Sequence, residues 1–199
     1  MAPRQAEGRN LNATAANGQP NELDQYLVAK ILATQDAAAF GELVRRHQSR
    51  VRVFLLRLCR DAALADDLAQ DCFLHAWQKL GSFRGTGSFA GWLMRIAWTT
   101  FLQSKRSRDR YRAVLDDVAH SGAVPEQTEA VDEVTDLDRL LAVLTRDERA
   151  VMILSYACGL SHSEISDATD LPVGTVKSII HRGKLRIRER FEIKDHQHG

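Results

Sequence analysis

Residues 160–190 read LSHSEISDATDLPVGTVKSIIHRGKLRIRER, and this stretch decides the fold. Ser161 followed three residues later by Glu164 is the spacing of a capping box, which opens a short helix over residues 163–169. Asp170 falls where the chain must turn through a left-handed or bridging conformation, which Asp tolerates. Pro172 suits the first turn of a second helix, because its missing N–H has no partner there in any case. Along residues 172–191, Val176, Ile180, Gly183, Ile187 and Phe191 recur on one stripe, while Lys177, Ser178, His181, Arg182 and Arg188 project elsewhere. Short helix, tight turn and longer basic helix is the order of a helix-turn-helix, whose second helix can enter a major groove and read base edges. A solvated basic helix is the plain alternative.

Outward from this motif the pattern stays helical. Upstream, Phe40, Leu43, Val44, His47, Val51, Phe54, Leu55 and Leu58 follow the spacing of one buried face. Leu68, Cys72, Phe73, Ala76, Trp77 and Leu80 repeat it, and Phe89, Trp92, Leu93, Ile96 and Thr100 begin a third helix. Between these, Gly81, Gly85 and Gly87 break the chain into a loop over residues 81–88. Further helices are expected over 134–144 and 147–156. Sustained alternation of the strand type is missing from the sequence, so the expected class is all-α. Residues 1–21, rich in Ala, Asn, Gln and Gly, read as a mobile tail. Residues 109–132 lose the periodicity, carry Gly122 and Pro125, and read as a flexible acidic linker long enough that the flanking domains need not touch. The expected division is therefore two small helical domains, 22–108 and 133–192, with a tail over 193–199.

A net charge of +1 over 199 residues conceals strong segregation. Residues 95–112 and 172–190 each carry a net charge of +5, whereas 113–148 carries −8. Residues 61–78 hold four aspartates and no Lys or Arg. Two separated basic blocks suit two contacts with a polyanion, and the acidic parts would face something else. An apolar run of membrane-spanning length and an N-terminal signal core are both missing, so the chain is expected to stay in the cytoplasm without inserting into a membrane. Cys59, Cys72 and Cys158 are sparse and unpaired in sequence, which reads as reduced core thiols.

The motifs now carry a resemblance. Gly159-Leu160-Ser161, Glu164-Ile165, Leu171 through Ser178 and His181-Arg182 resemble the fourth domain of the extracytoplasmic-function (ECF) sigma factors of bacterial RNA polymerase. Asp66-Asp67-Leu68, Gln70-Asp71, Phe73, Ala76-Trp77, Phe83-Arg84-Gly85, Phe89, Trp92-Leu93 and Ile96-Ala97 resemble that group's second domain. The resemblance implies a sigma subunit that binds core RNA polymerase, at the clamp helices of its largest subunit and at its flap, and directs it to promoters. It implies recognition of −10 and −35 elements, help in melting the former, and control by an anti-sigma factor. Core polymerase is expected on Asp66, Asp67, Gln70 and Asp71, which sit off the apolar stripe. The −10 element is expected on Phe83, Arg84, Arg95, Trp98, Lys105, Arg106 and Arg108. Trp98 is read as a base-stacking ring among cations and Trp92 as core. The −35 element is expected on Thr175, Lys177, Ser178, His181, Arg182 and Lys184.

Thr99, Gln103, Asp170 and Ile179 depart from what the group commonly carries and leave the preferred bases open. An acid cluster could instead hold a divalent metal, with His75 the obvious further ligand, but a surface role fits better. His196 and His198 read as a polar tail rather than a metal site. No cofactor and no catalytic residue is expected, because nucleophile–base and phosphate-loop patterns are missing. A helix-turn-helix regulator without a polymerase contact would leave the residues 66–112 block without a task. A sigma-like decoy for an anti-sigma factor would not need two cationic faces.

Overall fold

A computed structural model describes residues 18–118 and 136–195, with side chains over 21–113 and 139–190. Its N-terminal domain contains α1 (Gly18–Thr34), α2 (Ala37–Cys59), α3 (Ala62–Lys79) and α4 (Phe89–Val118). The C-terminal domain contains α5 (Asp136–Leu141), α6 (Arg146–Tyr156), α7 (His162–Thr169) and α8 (Val173–Asp195). No strand occurs among the described residues, and none of their helices is long and apolar enough to cross a membrane.

The α2 stripe buries as its spacing requires: Leu43, Val51, Phe54 and Leu55 are fully enclosed, with His47 and Leu58 nearly so. Asp36 caps the start of α2 by accepting from the N–H groups of Ala38 and Ala39. On α3, Leu68, Cys72 and Ala76 bury, but Trp77 stays 37% exposed and packs edge-on against Phe40, with ring centroids 4.9 Å apart. A turn of 3-10 helix (Leu80–Ser82) and the loop to Ser88 then lead into α4. Gly85 and Gly87 hold φ of 70° and 97°, the left-handed region that favours glycine.

Two boundaries differ from the sequence reading. Helix α1 starts at Gly18, inside the expected tail. Leu27, Val28 and Ile31 anchor it to the core. So does Asp24, which is 3% exposed and bonded to His47 Nε2 and Arg46 Nε at 2.8 Å each. Burial pushes the Asp24 carboxyl up, but hydrogen bonds from His47 and Arg46 outweigh that and leave it below its ordinary value. At the other end, α4 continues to Val118 where a linker was expected from residue 109, because nothing in residues 109–118 breaks a helix once it is under way. The rest of the expected linker, 119–132, and the chain ends at 1–17 and 196–199, with His196 and His198, lie outside the described residues.

The domains also touch. Helix α7 lies along α4, and α6 lies against α2. Gly91 on α4 permits this approach: a Cβ there would meet the Glu164 side chain at 3.3 Å. Within the C-terminal domain Gly183 does the same for α8 on α6, where a Cβ would meet Met152 Sδ at 3.0 Å.

Candidate nucleic-acid interface

The helix-turn-helix forms as its residues dictate. The Ser161–Glu164 capping box is closed in both directions, with Ser161 N–H donating to Glu164 Oε2 at 2.8 Å. Asp170 ends α7 in the left-handed conformation, at φ 58°. Helix α8 begins one residue after Pro172, whose carbonyl accepts from Val176 N–H at 3.0 Å. Val176, Ile179 and Ile180 are buried and fix the helix roll; the side chain of Phe191 lies outside the described ones. Lys177, Ser178, His181 and Arg182 are exposed, and Thr175 is half-buried. Ser178 Oγ donates back to Gly174 O at 2.9 Å, so toward DNA its oxygen is free to act as an acceptor. Lys184 lies 5.3 Å from the centroid of the Tyr156 ring, and Arg186 pairs with Glu148 at 2.6 Å. From Lys184 onward α8 is thus tied to α6, and in its N-terminal half Lys177, Ser178, His181 and Arg182 face outward.

On α4 the ring read as base-stacking is the more deeply buried of the two tryptophans. Trp98 is 7% exposed, stacked on Phe101 at 5.7 Å and near Phe54, so most of the ring packs inside, and the edge left open borders a cleft with Lys105 and Arg106. Trp92 is half-buried and lines a cleft of about 300 Å³ with Phe83, Arg84, Gly87, Ser88 and Arg95. Phe83 packs against Trp92 at 5.6 Å, which sets the glycine loop beside the ring. From residue 93 to residue 101 only Arg95 and Thr99 are exposed, and Gln103 extends that row by one more turn. All three line a second cleft with Trp92 and His75. Lys105, Arg106 and Arg108 continue outward along the same helix and are exposed. The sequence reading took Trp92 as core and Thr99 and Gln103 only as departures from the group's pattern; the four-residue repeat Arg95, Thr99, Gln103 was the signal that these last share one face.

The acidic face of α3 is mixed. Asp67, Gln70 and Asp71 are exposed, together with Leu74 at 59%. Asp66 is tied to Arg52 of α2 at 2.6 Å and is the least available of the four. An exposed leucine among carboxylates is the composition of a protein-binding face more than of a metal site. His75 points away from the acids and meets Thr100 Oγ1 at 3.2 Å.

Where the domains meet, Ser88 Oγ accepts from Gly91 N–H at 3.0 Å, capping α4, and donates its own proton to Glu164 Oε1. Burial pushes the Glu164 carboxyl up, but the bonds from Ser88 and Ser161 overcome it and hold the group below its ordinary value. Arg95 Nη2 meets Asp170 Oδ1 at 2.8 Å. Asp167 borders the Trp92 cleft from the α7 side.

The sigma-70 region 2 family model matches residues 43–111, and the sigma-70 region 4 model matches residues 135–187. The RNA polymerase sigma-H factor of Pseudomonas aeruginosa is 31% identical over 86% of this chain and 95% of its own length. The ECF RNA polymerase sigma factor SigL of Mycobacterium tuberculosis is 35% identical over 75% of this chain and 86% of its own. Among solved structures, the sigma factor RpoE in complex with the anti-sigma factor NepR from Bartonella quintana aligns with a TM-score of 0.64 and 28% identity, over 77% of this chain and 97% of that one. Both matched regions, in this order and on these helices, place the chain among the ECF sigma factors of RNA polymerase.

Proposed function

We propose that this chain brings core RNA polymerase to promoters through two separate DNA contacts and one protein contact. Helix α8 reads the −35 element with Lys177, Ser178, His181 and Arg182, while Thr175 and Lys184 hold phosphates. Phe83, Arg84, Trp92 and Arg95 take the melted −10 strand, and Lys105, Arg106 and Arg108 follow its backbone. Asp67, Gln70, Asp71 and Leu74 on α3 meet the polymerase, with Asp66 at the margin. The observation that carries this reading is the roll of α8. Val176, Ile179 and Ile180 are locked inside, so the cationic middle of the helix can only face outward. A bidentate Arg–guanine pair on that side supplies about 1–3 kcal/mol of discrimination, whereas Lys–phosphate contacts supply affinity for any sequence.

The chain performs no covalent chemistry in this reading; bond formation belongs to the polymerase, and both proteins work in the cytoplasm. Control by an anti-sigma factor is supported by the solved relative, which was captured with one.

Run-off transcription with purified core polymerase tests the proposal. Adding the full chain should produce transcripts from selected promoters, and replacing Asp67 and Asp71 together by Lys should lower core affinity several-fold while helicity is kept. Promoter binding by the free chain with no transcription when core is supplied would favour a regulator that works without polymerase.

A further inference from the structure

The loop that carries Phe83 and Arg84 rests on α1 at both of its ends. Before the loop, the 3-10 turn Leu80–Ser82 packs against α1, and after it α4 does the same. Asn21 Oδ1 accepts there from the Phe89 N–H at 3.3 Å, the first amide of α4, which has no partner within its own helix. The Phe89 side chain is 1% exposed and sits between two sets of rings. His47 lies on one side, with centroids 5.3 Å apart. Phe83 and Trp92, which both line the single-strand cleft, lie at 5.7 and 5.5 Å. His47 is held in turn from α1: its Nε2 donates to Asp24 Oδ2 at 2.8 Å. Its Nδ1 is buried without a hydrogen-bond partner, so Asp24 alone orients the ring. Two bonds from one helix therefore converge on Phe89, one at its amide and one, through His47, at its ring. Both start upstream of residue 43, where the region 2 match begins.

We infer that α1 positions the −10 cleft: Asn21 and Asp24, neither of which lines that cleft, fix Phe89 and through it the spacing of Phe83, Arg84 and Trp92 on which base discrimination depends. The loop needs support of this kind. Arg84, Gly85, Thr86 and Gly87 are all exposed, and both glycines sit at positive φ, so the loop has little packing of its own and its place is decided at its ends. Phe83 is half-buried and leans on the Phe89 and Trp92 rings. A shift of Phe89 therefore moves two walls of the cleft together. Asn21 and Asp24 are positioning residues, acting on the strand only through Phe89 and His47.

This inference rests on the −10 assignment of Phe83, Arg84, Trp92 and Arg95, and its test separates the two. The variants are Asn21→Ala, which removes the acceptor, and Asn21→Asp, which keeps it. Each full chain is assembled with core polymerase at a temperature where circular dichroism shows it folded. Competition binding then compares a promoter whose −10 strand is pre-melted with the same promoter after the bases of that strand are changed. The ratio of the two affinities is the readout, because a helix that only lends stability leaves it unmoved. Asn21→Ala should lower the ratio about three- to tenfold, the worth of one hydrogen bond, and Asn21→Asp should restore most of it. Affinity of the free chain for duplex −35 DNA should stay the same. An unchanged ratio in Asn21→Ala would overturn the inference, and so would a loss that Asn21→Asp fails to restore. Arg84→Ala and Trp92→Ala in the same assay locate such a failure. If they lower the ratio while Asn21→Ala does not, the −10 assignment stands and the role of α1 falls; if none of the three lowers it, the −10 assignment falls as well.

Discussion

The two basic helices carry equal net charge and meet different fates. Residues 95–112 and 172–190 each sum to +5, yet α4 lies under an acidic row from the other domain while the middle of α8 is open. Charge density marks both as surfaces for a polyanion. Which of them is available in the free chain depends on a neighbour about seventy residues away in sequence, since Ser88 meets Glu164 and Arg95 meets Asp170. On α8 the intramolecular partners, Tyr156 and Glu148, engage Lys184 and Arg186, the turn that follows Arg182, and steady the helix while Lys177 and Arg182 stay exposed.

The largest expected effect lies beneath the covered face. Trp98→Ala removes an indole that is 7% exposed and should destabilise the protein by about 3–5 kcal/mol in urea denaturation. Trp92→Ala, at a half-buried ring, should cost clearly less stability and instead slow promoter melting. The reverse ranking would return base stacking to Trp98 and undo this account of α4.

Next comes the open face. Arg182→Ala in the full chain should relax one −35 position by about 1–3 kcal/mol in a binding selection on duplex DNA. Lys184→Ala should weaken all sequences alike and reduce the salt dependence by about one contact. If Lys184→Ala is the one that relaxes the preferred sequence, reader and anchor are interchanged, and α8 is rolled differently from its buried stripe.

The smallest effect concerns the pair that joins the two faces. A double-mutant cycle with Arg95→Ala and Asp170→Asn, read by chemical denaturation, should give a coupling of about 0.2–1 kcal/mol that fades as salt is raised. A coupling of several kcal/mol would mean that the covered face is permanently closed.

Much of this was legible in local sequence. The α2 stripe, the Ser161–Glu164 box and the turn at Asp170 are short-range devices, each decided within a few residues, and each formed as read. The burial of Trp98 shows where such reading stops. A single stripe was assumed for α4, but the helix packs against α2, α3 and α7 together. Its buried arc widens to include Met94, Ala97, Trp98 and Phe101, and a ring half a turn from the stripe is still inside. Leu74 was likewise unreadable as a surface residue, because exposure of a leucine follows from what does not pack on it. That the domains touch was not legible for a similar reason: linker length limits how far they can part and says nothing about whether complementary groups bring them together.

Glu164 divides its two oxygens between two kinds of bond. Oε2 serves Ser161 within the same turn, and Oε1 serves Ser88 in the other domain, while Ser88 separately holds the Gly91 amide. Parting the domains therefore breaks the shared bond and leaves both helix starts capped. The bond between the domains is thus additional to the caps, and removing it costs neither helix its first turn.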